Sequence, residues 1–279
     1  MRYMALACDF DGTIAQSGRI TKVARAALER LRPSGRRCIL VTGRTFDELA
    51  PQCPELELFD AVVLENGAVV YWPATREMTT LCAPAPRSLA ECLVQRGVKP
   101  LVSGRVILAT VRPHEVTVLE AIRDLGLELH IVFNGRAVMV LPPGVNKGTG
   151  LERALRRIGL SLHEVVGVGN AENDHSFLDV CECSVAVANG VEAIKAKVDF
   201  STTAPDGAGV AELIDELVTT DLVRQTPGGP GDVVVLATRE DGAPLTFEPY
   251  GQNILVSGAS GAGKSTFATG LIERLLDRR

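Results

Sequence analysis

Asp9 and Asp11 stand two positions apart in Asp9-Phe10-Asp11-Gly12-Thr13, directly after the mostly apolar run 3–8. Such a run reads as a buried parallel strand. It carries both carboxylates into a glycine-containing loop at its C-terminal end, where open α/β sheets bind their ligands. Two like charges so close are costly unless something shares or neutralises them. A hard divalent cation such as Mg²⁺ does so, taking carboxylate oxygens and filling its shell with water or phosphate oxygens. The plainer reading of the same five residues is an Asp-rich turn that caps the next helix.

Two further stretches suit phosphate. Thr42-Gly43-Arg44 ends the expected strand 38–41, and Thr45-Phe46-Asp47-Glu48-Leu49 then opens a helix. A hydroxyl and free backbone N–H groups at a helix start face an anion, and the helix dipole adds to them. Near the other end, Gly258-Ala259-Ser260-Gly261-Ala262-Gly263-Lys264-Ser265-Thr266 fits G-x-x-x-x-G-K-[ST] in full, between an expected strand 253–256 and an expected helix from 267. In that pattern Gly258, Gly261 and Gly263 let backbone N–H groups curl around phosphates. Lys264 reaches the β- and γ-phosphates, and Ser265, with Thr266 beside it, meets Mg²⁺. ATP is the ligand this loop suits.

The elements that must hold these residues alternate along the chain. Helices are predicted over 21–31, 45–49, through 158 from a start in 145–151, and over 175–178, 192–197 and 210–218. The first shows the period: Val23, Ala27 and Leu31 share one face, and Pro33 and Gly35 stop it. Strands are predicted over 61–64, 165–168 and 184–188, with 61–64 and 68–72 forming a hairpin about Glu65-Asn66-Gly67. This alternation argues a parallel sheet wrapped on both faces. Over 75–143 the pattern changes to helices 88–96 and 115–125 with strands 105–111, 127–133 and 137–141, a compact α/β insertion. Thr226-Pro227-Gly228-Gly229-Pro230-Gly231 reads as a linker, and strands 233–237 and 245–247 follow it.

Composition excludes several classes. The chain has 279 residues and a net charge of −5, so no global basic surface awaits nucleic acid or an anionic membrane. Aromatics at 4% leave little for base stacking. No apolar run is long enough for a membrane-spanning helix, and the N-terminus lacks the pattern of a secretory signal. The seven cysteines are scattered, with Cys181 and Cys183 too poorly accompanied for zinc. Reduced thiols in a cytoplasm are the expectation.

Asp-x-Asp-Gly-Thr after an N-terminal strand resembles the first motif of the haloacid dehalogenase superfamily in its phosphatase branch. Thr42-Gly43-Arg44 resembles the second, Lys147 the third and Gly169-Asn170-Ala171-Glu172-Asn173-Asp174 the fourth, in the right order. Asn66-Gly67-Ala68 is similar to a step of the Cof-like subfamily IIB. The resemblance implies an α/β fold with a doubly wound parallel sheet, a Rossmann-like core over 1–74 and 144–220, and a small α/β cap of the C2 type over 75–143. It implies a Mg²⁺-dependent phosphomonoester hydrolase acting on a small phosphorylated metabolite, such as a sugar phosphate or phosphoglycolate.

By that resemblance Asp9 is the nucleophile and forms an aspartyl-phosphate, while Asp11 is general acid and then base. Thr42 and Lys147 hold the phosphoryl group, with Gly43, Arg44 and Asn173 beside them. Asp9, Asp11 through its backbone carbonyl, Asn170 and Asp174 hold the metal. One position departs: the fourth motif is normally Gly-Asp-x-x-Asn-Asp, and Asn170 replaces its first acid. An amide oxygen can meet Mg²⁺ but brings no charge, so affinity is expected to fall. Glu172 is the nearby acid that could substitute.

The C-terminal stretch resembles the start of a P-loop ATPase lobe fused behind such a domain, with 221–232 as linker and 233–279 as a shortened front end. No residue after 279 supplies a Walker B acid, so this part is expected to bind ATP without turning it over alone. A competing reading makes the loop the working part: an ATP-binding regulatory or motor-fragment protein with a weakened phosphatase lobe. A third, a purely structural protein, is opposed by the presence of Asp9, Asp11, Thr42 and Lys147.

Overall fold

The computed structural model describes residues 1–223, 225, 234–239, 242–247, 255–259, 261 and 263–276. Two units separate by contact, one over 3–225 and one over 1–2 with 226–279. The linker expected at 226–231 and the first half of the strand expected at 253–256 lie outside the described residues.

The larger unit begins with β1 (Ala5–Asp9), so the first strand carries Asp9 as its last residue. A short ribbon, β2 (Ala15–Gln16) and β3 (Arg19–Ile20), follows, then α1 (Lys22–Leu31), whose cap Thr21 accepts the Ala24 N–H. Next come β4 (Arg37–Val41), α2 (Phe46–Leu49), β5 (Ala61–Leu64), β6 (Val69–Trp72) and β7 (Glu77–Thr80). The insertion contains α3 (Arg87–Gln95), β8 (Val102–Ser103), β9 (Leu108–Val111), α4 (Glu115–Asp124), β10 (His130–Asn134) and β11 (Ala137–Leu141). The chain returns through α5 (Lys147–Ile158), β12 (Val165–Gly169), α6 (His175–Leu178), β13 (Cys183–Ala186), α7 (Glu192–Lys195), β14 (Phe200–Ser201) and α8 (Asp206–Thr220).

The main sheet has the order β14-β13-β12-β1-β4-β5-β6-β7. The strands from β14 to β5 run parallel, and β6 and β7 add an antiparallel edge. The hairpin expected over 61–64 and 68–72 is present as β5 and β6, and one detail differs from the sequence expectation: residues 77–80, expected inside the insertion, close the sheet's edge. That strand is polar and half exposed, so no apolar alternation marks it.

Side chains alternate across the sheet as the strand period requires. Leu6, Cys8, Leu40, Val62 and Leu64 face α1 and α8, while Ala5, Ala7, Ile39, Val41 and Val63 face α5, α6 and α7. Helices therefore cover both faces, and the central strands read as continuous apolar runs. The insertion forms a second sheet, β10-β11-β9-β8, with its own apolar cluster of Leu89, Leu93, Leu108, Val118, Ala121, Ile122 and Val140. Its other side joins the main core through Val106, Ile107, Met139 and Leu141.

The smaller unit shows a hairpin, β15 (Val234–Thr238) with β16 (Pro244–Phe247), and α9 (Lys264–Leu276). Residues 255–259 are in neither strand nor helix. No helix among the described residues is long and apolar enough to cross a membrane. All seven cysteines are free of disulfide bonds.

Candidate active site

β1 lies between β12 and β4, where successive connections leave the sheet in opposite directions. Such a switch point opens a crevice at the C-terminal strand ends. Asp9 ends β1, Thr42 follows β4, and Asn170 follows β12. Three loops thus bring together residues more than 100 positions apart.

Lys147 is the centre of the arrangement. It is the first residue of α5, whose start is fixed by a reciprocal capping box between Asn146 and Thr149. The lysine is 1% exposed. Its Nζ donates to Asp9 Oδ1 and to Asp174 Oδ1, each at 2.6 Å. Burial works against this ammonium, and the carboxylates of Asp174 and Asp9 more than reverse it, holding it above the ordinary lysine range. Burial pushes the Asp9 carboxyl up to about 7, with Asp174 adding to the push and Lys147 opposing it.

Asp174 has both oxygens engaged, because Oδ2 also accepts the backbone N–H of Asn170 (2.8 Å) and Ala171 (2.9 Å). Asp9 Oδ2 lies 3.1 Å from the Thr13 hydroxyl, and Asn170 Oδ1 lies 3.2 Å from the same hydroxyl. One hydroxyl has one proton, so these two acceptors share it. Gly12 makes the loop possible: its φ is +74°, and a Cβ there would collide with the Asn170 amide.

Asp11 points another way. The Arg44 guanidinium holds it bidentately, Nε to Oδ2 and Nη2 to Oδ1, both at 2.7 Å, and Nη1 donates to Gln52. Arg44, expected near phosphate, is therefore bound to the second aspartate. The Thr42 hydroxyl is buried and accepts the Arg44 N–H at 3.2 Å. Gly43 lies under Asn66 and Met139. Asn173 Nδ2 donates to Asn66 Oδ1 at 3.2 Å. Its own Oδ1 is buried without a hydrogen-bond partner among the described residues. Glu172 is exposed.

The donor set can be tested for a metal ion. Among the described residues, no group of three His, Cys, Asp or Glu side chains is placed to hold one. Asp11 is paired with Arg44 and Asp174 with Lys147. What remains is Asp9 Oδ2 and Asn170 Oδ1, both within reach of one atom, with the Asp11 backbone carbonyl nearby in sequence. These are hard oxygen donors, so they fit Mg²⁺ in kind, with a single carboxylate charge.

Lys264 Nζ donates to the carbonyls of Gly258 (2.8 Å) and Ala259 (2.7 Å), and Gly261 and Gly263 take positive φ of 83° and 78°. Ser265 and Thr266 are exposed on the first turn of α9.

Sequence reasoning missed Glu65, Asn66 as a side-chain partner, Met139 and Asn189. Asn189 follows β13 and donates to the Gly12 carbonyl at 2.9 Å. Asn66-Gly67 signals a turn, but nothing local says that its side chain will reach the fourth motif.

Comparison with known proteins agrees with this geometry. The sequence model of the haloacid dehalogenase-like hydrolase family matches residues 6–99 and 134–214. The phosphoglycolate phosphatase of Methanothermobacter thermautotrophicus is 30% identical over 220 residues, which cover 75% of this chain and 96% of that protein. The phosphoglycolate phosphatase of Halorubrum lacusprofundi is 33% identical over 225 residues, covering 77% and 97%. A solved haloacid dehalogenase-like hydrolase from Bacteroides thetaiotaomicron superposes with a TM-score of 0.66 at 21% identity, covering 77% of this chain and 99% of that one, and so shares the fold. With the motif loops gathered at one switch point and the family match running through each of them, the chain is a hydrolase and belongs to the haloacid dehalogenase-like hydrolase family.

Proposed function

We propose that the chain hydrolyses phosphate monoesters of small metabolites, with Asp9 as nucleophile. The observation that carries this reading is the buried Asp9–Lys147–Asp174 ion triad at the end of β1. Asp9 attacks phosphorus as the bond to the leaving oxygen breaks, and Asp11, released from Arg44 and protonated, gives that oxygen its proton. Water then attacks the aspartyl-phosphate, Asp11 takes its proton, and the bond to Asp9 breaks to release phosphate. Lys147 offsets the charge of the nucleophile and of the incoming phosphoryl oxygens. Thr42 offers its hydroxyl to the same group. Asn173 Oδ1 is a buried acceptor that a protonated phosphoryl oxygen or a substrate hydroxyl would satisfy.

Asp9, Asn170 and the Asp11 carbonyl would hold Mg²⁺, which would supply positive charge to the phosphoryl oxygens. Asp174, with both oxygens engaged, orients Lys147. The insertion acts as a C2-type cap: Met139 of β11 lies beside Gly43 and Asn66, next to the Thr42 loop. Phosphoglycolate is the first substrate to test, because the curated relatives above carry that name. Sugar phosphates come next. Phosphate release with Mg²⁺ from a panel of both classes tests the reading; a protein that releases phosphate from none of them refutes it.

A second reading concerns residues after 225. The loop closed by Lys264 on its own carbonyls, with glycines at positive φ, supports a phosphate-binding role toward ATP. Calorimetric titration with ATP tests it. Binding that Lys264→Ala removes supports this reading, and no heat with the intact chain ends it.

A further inference from the structure

Glu65 is a buried acid that the proposed chemistry does not use. It follows β5 directly and is 1% exposed. Its Oε1 accepts the backbone N–H of Arg105 at 2.8 Å. Its Oε2 accepts those of Val106 at 2.9 Å and Ile107 at 3.0 Å. Consecutive backbone N–H groups turned on one anion form a nest. Here the nest is the turn between β8 and β9, a stretch whose apolar sequence reads as strand. The approach is close: a Cβ on Gly104 would lie 2.5 Å from Oε2. Val106 and Ile107 bury their side chains in the main core at the same place.

The backbone that carries Glu65 is tied to the catalytic loops. The Glu65 N–H donates to the Arg44 carbonyl at 3.0 Å, and the Asn66 N–H to the Thr42 carbonyl at 3.1 Å. Asn66 accepts from Asn173 and donates to Met139 Sδ. Gly67 abuts the Asn146–Lys147 peptide so closely that a Cβ there would collide with the Asn146 carbonyl. Glu65 and Asn66 both have φ of +52°, a conformation costly for residues with a side chain. One left-handed turn thus touches the loops of Thr42, Lys147 and Asn173, and reaches the insertion through the Glu65 carboxylate.

We propose that Glu65 is a positioning residue: it fixes the 104–107 turn of the insertion beside the catalytic loops, and so sets which leaving groups the site accepts. A carboxylate suits the place because it accepts every N–H of the nest and presents no donor against them. The kinetic half of this proposal rests on the phosphomonoesterase reading; the docking half does not.

The test is amide hydrogen exchange together with kinetics on the full chain, for wild type, Glu65→Gln and Gly104→Ala. Gly104→Ala disturbs the same contact from the insertion's side, so it decides the matter if Glu65→Gln fails to fold. We expect amide protection at 105–107 to fall about tenfold or more in either variant, against little change in β1 and β4. We also expect the ratio of kcat/KM between a hexose phosphate and phosphoglycolate to shift about tenfold. Undiminished protection at 105–107 overturns the docking role. Reduced protection with equal losses on every ester overturns the selectivity role. If the wild type hydrolyses no ester, the phosphomonoesterase reading and the selectivity role fall with it, and the exchange result still decides the docking.

Discussion

Lys147 is buried between two carboxylates, and removing its ammonium takes away the counter-charge of both. Lys147→Ala is therefore expected to destabilise the fold by about 3–5 kcal/mol. Chemical denaturation checks this. Asp9 contributes to the response of stability to pH. Its carboxyl is lifted from 3.8 to about 7, so the fold favours its protonated form. That contribution to stability is complete below the ordinary carboxylate range and is lost as pH rises through about 7. In the proposed metal role of Asp9 the ion would expel the same proton, so Mg²⁺ affinity is expected to rise with pH until about 7 and then level off. Calorimetric titration at about pH 5.5 and about pH 8 should show the weaker binding, with proton release, at the lower value. Asn170→Asp adds a second carboxylate to the donor set and should tighten Mg²⁺ about tenfold at pH 8, read by the same titration. Arg44→Lys cannot reproduce the bidentate hold on Asp11, and kcat should fall about tenfold.

At the scale of elements, α5 decides where Lys147 points. Its first turns are packed through glycines: a Cβ on Gly148 would collide with the Ser176 carbonyl, and one on Gly150 would lie 2.6 Å from Val63 Cγ1. Gly150→Ala is expected to push α5 from the sheet, cost about 1–3 kcal/mol and lower kcat through the displaced lysine. Thermal melts and steady-state rates check both effects. The same elements show what was legible in the sequence. β1, β4 and β12 are buried runs followed by glycine and polar residues, so Asp9, Thr42 and Asn170 could be placed at strand ends from local pattern alone. α5 was expected through 158 from a start in 145–151, and it runs over Lys147–Ile158. β7 was not legible, because a polar edge strand has no apolar face to show. Residues 105–107 read as strand because Val106 and Ile107 are apolar, while the N–H groups of all three go to Glu65 rather than to a ladder. The Arg44–Asp11 and Glu65 contacts join residues 33 to 42 positions apart, and no local signal specifies such partners.

At the scale of the whole molecule, the unit over 3–225 contains every residue given a role in phosphoryl transfer and both apolar cores of its main sheet. A unit with its own core folds by itself. A chain ending at Gln225 is expected to keep kcat/KM for the preferred ester within about twofold. Steady-state comparison with the full chain checks this. The antiparallel edge of the main sheet was legible in part: the hairpin expected at 61–64 with 68–72 is β5 and β6, while β7 gave no signal.

The central claim is that Asp9 is a phosphoryl nucleophile, and phosphate release with Mg²⁺ from phosphoglycolate and a set of sugar phosphates, by wild type and Asp9→Asn, tests it most directly. Turnover of at least one of these esters by the wild type is expected, with a loss of about a thousandfold or more in Asp9→Asn. Turnover by Asp9→Asn at the wild-type rate, or none by the wild type on any ester, would contradict that claim.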